Sequence, residues 1–276
     1  MNLLKSLLIL ISFSCIVSCS KKDDPVITND PDGLTLVTTL TNDTHKIGLY
    51  TASGKLQTGY NEVYIQIKNI QGSNESNAGV TWTPLMHMMG MTHSCPASAI
   101  TKQSNGIYKG YIVFQMAGTE DEYWDLTLNY TIGDATYTVT GTIAVSESAK
   151  RVVETFQGSD NIRYVLALVN PTKPAVAVND ISAVLYKMES MTSFVVVNDY
   201  TIKIDPRMTG MGNHTSPNNV DLTQGTGGMY YGKLSLTMTG YWKINLQLAD
   251  ATQAIVKGEA VTATNEGSSI YFELEF

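Results

Sequence analysis

Cysteine is scarce in this sequence. The 276 residues include three, and two of them, Cys15 and Cys19, fall within the first nineteen positions. If the chain is cut before Cys19 and Cys19 is modified, Cys95 is the sole free thiol left, and no intramolecular disulfide can form. Such a thiol in an oxidising compartment is a liability unless it is buried or ligated. Cationic side chains are also few. Lys and Arg number 18 against 25 Asp and Glu, a formal charge of -7. Nucleic-acid binding rests on cations neutralising phosphates, so that partner is excluded; the acidity reads only as a contribution to solubility. Hydrophobic residues reach 43% and charged ones only 16%, the reverse of a disordered composition.

Helical periodicity and catalytic signatures are missing too. Beyond Leu34 no stretch repeats its apolar residues at helical spacing. There is no nucleophile elbow, no H-E-x-x-H and no phosphate loop, so no enzyme is expected. Paired carboxylates could serve a glycosidase. Glu120, Asp121, Glu122 and Asp125 do cluster, but in what reads as an exposed turn, and the second half of the chain has no counterpart.

The first long apolar run is short. Lys5 precedes a mostly apolar stretch, residues 7–17. Its length, about 11 residues, suits a signal-peptide core and not a bilayer-spanning helix. The run ends Ile16-Val17-Ser18-Cys19, which resembles a bacterial lipobox; by that resemblance Cys19 becomes the first mature residue and carries lipid. Cys15 fits less well, with Ser12 at the third position before it. An ordinary secretory signal with incidental cysteines is the plainer alternative. Ser20-Lys21-Lys22-Asp23-Asp24 resembles the signal that sends lipoproteins to the outer face of the outer membrane in the Bacteroidota; the periplasmic face, with this stretch as a plain linker, is the other placement. Residues 25–33, rich in Asp, Asn and Pro, read as a tether.

The remainder reads as strands. Short Val-, Ile-, Thr- and Tyr-rich runs, such as residues 63–67, 111–114, 125–128, 137–140, 164–169, 193–197, 233–238 and 243–248, alternate with Gly, Asn, Asp and Ser clusters. That spacing predicts a sandwich or barrel. The chain also matches itself at an offset of about 122 residues. Pro84-x-Met86, Gly90-Met91-x-His93 and Pro96 recur as Pro206-x-Met208, Gly210-Met211, His214 and Pro217. Tyr108-x-Gly110, Met116-x-Gly118 and Tyr123-Trp124-x-Leu126 recur as Tyr230-x-Gly232, Met238-x-Gly240 and Tyr241-Trp242-x-Ile244. The expected layout is a signal at 1–18, a lipid-anchored tether at 19–33, a β-sandwich at 34–148, a joint at 149–160 and a second sandwich at 161–276. The more charged segment around the joint, 146–158, is expected to have room for one helical turn.

Methionine and histidine are concentrated in one place. Residues 86–95 hold four Met, two His and one Cys, out of 12 Met and 4 His in the chain. Residues 208–214 add two Met and one His. Thioethers are soft, uncharged donors that suit Cu(I), and imidazole suits both copper states. The tight turns that bring such side chains together are allowed by Gly90, Gly210 and Gly212. In extended backbone Met86 and Met88 face one way and His87 and Met89 the other, so one ion cannot take all four. The expected donors are Met86 or Met88 with Met91 and His93, and their analogues Met208, Met211 and His214. Met116 and Met238 hold matching positions that could reach across or simply pack, as Met commonly does; Met188 and Met191 read as packing. Cys95 has Ser216 near its place in the second loop, which argues against a role shared by both halves. His45, in a polar turn, is expected to be exposed.

These motifs together, Pro84-x-Met86, Gly90-Met91-x-His93-x-x-Pro96, Gly106-x-Tyr108-x-Gly110, Met116-x-Gly118 and Trp124-x-Leu126, resemble the YtkA-like domain, a relative of the FixH-like proteins. The resemblance spans residues 61–145 and again 193–262. It implies an Ig-like sandwich and a link to copper handling. The second copy departs from the pattern: it has fewer Met, one more residue before His214, and Arg207 beside its loop.

The expectation is therefore an exported, lipid-anchored copper-binding protein that buffers or transfers the metal, as a possible component of copper transport or efflux. The competing class is a structural or adhesive surface lipoprotein whose Met loops serve packing or partner binding.

Overall fold

The computed structural model describes residues 31–276. The signal-like run, Cys15, Cys19 and the charged stretch after it lie outside the described residues. Among the described residues no helix is long and apolar enough to cross a membrane.

The first half contributes eleven strands: β1 Thr35–Thr41, β2 His45–Thr51, β3 Leu56–Gln57, β4 Gly59–Asn69, β5 Ala78–Met88, β6 Met91–His93, β7 Thr101–Lys102, β8 Ile107–Phe114, β9 Tyr123–Ile132, β10 Ala135–Ile143 and β11 Val145–Ser146. The second half contributes β12 Val153–Gln157, β13 Arg163–Asn170, β14 Val178–Ser190, β15 Ser193–Val196, β16 Thr201–Met208, β17 His214–Thr215, β18 Val220–Gln224, β19 Met229–Ser235, β20 Tyr241–Ala249, β21 Ile255–Lys257 and β22 Tyr271–Glu275.

The internal repeat is visible as a repeat of strand order. The first half has a sheet β1-β2-β4-β8-β7 facing a sheet β10-β9-β5-β6. The second half has β12-β13-β14-β19-β18 in the same sequence, then β20 flanked by β16, β21 and β22, with β17 on β16. There the two faces join where β18 pairs β16 through Thr201↔Thr223 and Ile202↔Leu222, so eleven strands form one continuous curled sheet. The chain is all-β, two tandem Ig-like sandwiches, with period-2 alternation visible in β9 and β10. The stretch expected as a joint differs from expectation: Val153–Gln157 is not a helical turn but β12, paired with β13 over five positions. Its buried positions are Glu154 and Phe156, and a charged residue on the buried face hides the period-2 pattern from the residue order.

Each sandwich has its own core. One gathers Trp124, Leu126, Leu128, Tyr130, Met86 and Tyr108, and the other Trp242, Ile244, Leu246, Leu248, Met208 and Tyr230. The repeated motifs are explained by contacts that recur. Trp124 donates its indole N–H to the Met116 carbonyl at 3.0 Å, and Trp242 donates to Met238 at 3.0 Å. The Met-x-Gly turn is thus an acceptor for the Trp strand, and the side chains of Met116 and Met238 pack against the cores. Tyr108 donates its hydroxyl to the Glu75 carbonyl at 3.0 Å, and Tyr230 donates to Val197 at 2.8 Å, each tying the strand to the segment that leads into β5 or β16.

The glycine two residues after each of these tyrosines is set by close approach. A Cβ on Gly110 would lie 2.6 Å from the Trp82 ring, and one on Gly232 would lie 2.4 Å from the Val220 carbonyl oxygen. A ring can move, whereas a paired strand's carbonyl cannot without breaking the sheet. Gly232→Ala is expected to cost more than Gly110→Ala, with the milder change in the range of about 1–3 kcal/mol typical of overpacking. Urea unfolding of the two variants checks the order.

A third apolar cluster joins the sandwiches. Val113 of β8 packs with Val165, Ala167, Val184 and Tyr186, flanked by Tyr60, Tyr111 and Phe194. The Tyr111 and Tyr186 hydroxyls are 2.6 Å apart, and burial raises the ionisation of both above the usual phenol value. They remain neutral, hydrogen-bonded groups inside the interface.

Candidate metal site at the Met/His hairpin

The site is a β-hairpin built on the first Trp strand. β5 and β6 pair as Met86↔His93, His87↔Thr92 and Met88↔Met91. The two-residue turn between them is Met89-Gly90, and Gly90 has φ +86° with no atom near its missing side chain, so left-handed backbone rather than space demands the glycine. On the other side of β5, Met86 pairs with Trp124 of β9. Directly opposed residues in antiparallel strands share a face, as do residues two apart. Trp124, Met86 and His93 therefore form one row across three strands. Met88 and Met91 form the next row, nearer the end of the sandwich.

This register brings Met86, Met88, Met91 and His93 onto one face. The four Cβ positions occupy the corners of a patch about 5 Å by 7 Å, set by strand spacing and rise. Exposure grades along it. Met86 is fully buried, Met88 packs on the core edge, His93 is half-buried and Met91 is 51% exposed. His93 Nδ1 lies 2.8 Å from the Ser94 carbonyl oxygen. A carbonyl only accepts, so Nδ1 is the donor, and in the neutral ring Nε2 is the nitrogen left to meet another partner. The His93 ring meets Trp124 edge-on with centroids 5.6 Å apart.

The other hairpin donors point elsewhere. Met89 is at the turn and 95% exposed. His87 stacks on Tyr123 with centroids 4.8 Å apart, and its Nε2 lies 3.0 Å from Asp125 Oδ2. That approach is close enough for an ion pair but off-line for a hydrogen bond, so Nε2 has no aligned partner. Glu120 and Asp121 lie exposed in the turn before β9. His45 does not behave as its polar turn suggests. It is buried, 4.7 Å from Tyr137 and 5.4 Å from Tyr130 edge-on, with Nδ1 2.8 Å from Thr44 Oγ1.

Cys95 is buried in the first core, and burial alone pushes its thiol well above the ordinary 9.0. It is neutral in the fold, and a neutral thiol is neither a good nucleophile nor a good ligand. Alkylation of Cys95 in the Cys15, Cys19 double-Ser variant is expected only on unfolding, which stopped-time labelling with iodoacetamide in rising urea would read. The sign also follows. Above the ordinary thiol value the unfolded chain releases this proton and the folded chain keeps it, so the Cys95 contribution to stability falls as pH rises past 9.0.

The second loop keeps part of the arrangement. Met208 pairs with His214, as Met86 pairs with His93, and Arg207 pairs with Thr215. The intervening residues form a short 3-10 turn, Thr209–Met211, then left-handed Gly212 and Asn213. Met211 is carried out of the strand row and is 56% exposed, and His214 is exposed. Arg207 is held by Asp205 at 2.7 Å and 2.9 Å and donates to the Asn213 carbonyl at 3.3 Å. The extra residue and the guanidinium thus reshape the turn, and two donors remain paired there against four in the first loop.

Among the described residues no group of three or more His, Cys, Asp or Glu is placed to hold a metal. A hard or borderline ion such as zinc has no ready ligand set here. The hairpin's donors are of another kind, three thioethers and one imidazole, which fit a soft ion.

No protein-family model matches the sequence, and no curated protein matches it. Among solved structures, it is similar to a DUF4785 family protein from Legionella pneumophila, at 11% identity and a TM-score of 0.26, over 77% of this chain and 55% of that one. It is similar to domains 4–9 of the surface layer protein SbsC, at 13% identity and a TM-score of 0.27, over 83% of this chain and 32% of that one. A chimeric titin Z1Z2 tandem is 13% identical, with a TM-score of 0.18, over 81% of this chain and 95% of that one. The aligned part of this chain spans 55% and 32% of the length of the first two.

Proposed function

We propose that this protein is an exported, lipid-anchored copper-binding protein that buffers Cu(I) or passes it on through the hairpin of its first sandwich. The observation that carries the reading is the register: Met86, Met88, Met91 and His93 share one face, with His93 oriented by the Ser94 carbonyl. Copper bound there would be held by uncharged donors, of which the three thioethers neither form disulfides nor bind protons near neutral pH. The graded exposure suits exchange: Met86 and Trp124 form a fixed floor, and Met91 at the rim meets an incoming donor or acceptor. The likeness of these motifs to the YtkA-like domain supports the same reading. Met208 and His214, with Met211 displaced from their row, form a weaker second site. Cys19 supplies the lipid attachment, and the membrane partner follows from it, with the outer membrane as the proposed address and the cell-surface face favoured.

The test is a Cu(I) titration of the unlipidated chain, Cys15→Ser and Cys19→Ser, against a colorimetric Cu(I) chelator under anaerobic conditions. One ion per chain is expected to resist the chelator, with a second bound at least about tenfold more weakly, a gap of about 1.4 kcal/mol. Complete loss of copper to the chelator at all ratios would end the copper reading and leave the structural, adhesive alternative. The anchor is tested separately: Cys19→Ala should move the chain from the membrane fraction to the soluble one.

A further inference from the structure

We infer that Met191, from the second sandwich, is an additional thioether donor to the hairpin of the first, so that one Cu(I) site draws its ligands from both sandwiches. The inference rests on the copper reading above and adds a ligand that the local Met/His motif does not contain.

Three observations place Met191 there. First, the Ser94 N–H donates to the Met191 carbonyl oxygen at 2.8 Å. Ser94 directly follows His93, and an N–H to carbonyl bond of this kind sets α-carbons about as far apart as in a hydrogen-bonded strand pair, about 5.5 Å. Second, the segment that carries Met191 is a lengthened form of a hairpin that both halves contain. In the second sandwich β14 continues through Ser190 and turns back as β15, with Met188↔Phe194 and Ser190↔Ser193 paired. In the first sandwich the corresponding turn back onto β4 is shorter: Lys68 bridges Asn74, and the Asn69 and Glu75 N–H groups donate to the Ser73 and Ile67 carbonyls. The extra length puts the hairpin's tip beside the Met/His loop. Third, the arm is held firmly. Phe194 and Val196 pack into the cluster that joins the sandwiches, and Tyr186 on β14 is bonded to Tyr111.

The tip carries a methionine on a polar turn. Met191 sits among Glu189, Ser190, Thr192 and Ser193 and is 42% exposed. An exposed thioether on a polar turn next to a half-buried imidazole suits a soft ion. With Met191 in place, the donor face has a second wall, and a bound ion is screened from water on the side that the first sandwich leaves open. Copper would then tie the two sandwiches together at the point where their backbones already meet.

The test compares the unlipidated chain with Met191→Leu and Met191→Ser, using competitive Cu(I) titration and copper-edge X-ray absorption on the loaded protein. Both variants are expected to lose about tenfold in Cu(I) affinity, equal to about 1.4 kcal/mol, and one sulfur from the first coordination shell. Apo-protein unfolding midpoints should stay unchanged, because an exposed turn residue carries little stability. Unchanged affinity and an unchanged sulfur count in both variants would overturn this inference and leave the hairpin site standing. Failure of the parent chain to hold Cu(I) would overturn both. A drop in affinity that follows a drop in apo stability, with no loss of sulfur, would assign Met191 a structural role and also overturn it.

Discussion

Trp124→Ala is expected to lower the stability of the first sandwich by about 4 kcal/mol, near the upper range for deleting a buried aromatic side chain. The side chain is fully buried. It donates to the Met116 carbonyl at 3.0 Å and meets Phe114 edge-on at 5.0 Å and His93 at 5.6 Å. Removing it leaves a cavity in the row that contains Met86 and strips a buried carbonyl of its donor. Trp124→Phe separates these effects, since it keeps ring packing but not the indole N–H. Its cost should be smaller, about 1–3 kcal/mol, the penalty for an acceptor left without its partner plus some lost volume. Urea unfolding followed by circular dichroism gives both numbers. An Ala variant within about 0.5 kcal/mol of the parent, the range of ordinary surface changes, would refute the placement of this ring in the core. Because the two sandwiches share an interface through Val113 and Tyr111, the loss is expected to weaken the second sandwich as well.

Met88→Leu, Met91→Leu and His93→Ala combined are expected to abolish the tighter copper site, with affinity down by at least about a hundredfold, or about 2.7 kcal/mol. The choice of residues matters. Met86 is fully buried and belongs to the core, so its replacement would confound lost binding with lost packing. Met91 is 51% exposed and Met88 lies at the core edge, and Leu is close to Met in volume. The triple variant should therefore fold with near-parental stability. The matching change in the second loop, Met208→Leu with His214→Ala, should leave the tighter ion in place, because only a pair of donors is aligned there. A hundredfold loss in the second-loop variant with none in the first would reverse the assignment.

Much of this was legible in the sequence, for physical reasons. Strands such as Tyr123–Ile132 and Ala135–Ile143 bury alternate residues, and that period is written directly into the residue order. The repeat was legible because its Tyr, Trp and Met-x-Gly residues make corresponding contacts in both halves. Tyr108 and Tyr230 tie loops, Trp124 and Trp242 bond Met-x-Gly turns, and Gly110 and Gly232 admit close neighbours. Alternation puts Met86 and Met88 on one face, but what sets Met91 and His93 beside them is the β5–β6 register. Other features depend on partners far along the chain. His45 is buried because Tyr130 and Tyr137 close over it, about 90 residues away. β12 is a strand because β13 pairs it. Met191 gives no local sign of its position, because what places it is a hydrogen bond to Ser94 across the joint.

The most direct test is methyl NMR of the unlipidated chain labelled at the methionine ε-carbons, before and after one equivalent of Cu(I). Of the 12 methionines all but Met1 lie between residues 86 and 238, and these act as reporters spread over both sandwiches. The copper reading predicts that the Met88 and Met91 methyl signals shift strongly and Met86 follows, while Met116 and Met238 in the two Trp turns stay where they are. Spectra unchanged by copper, or shifts confined to methionines outside the hairpin, would contradict it.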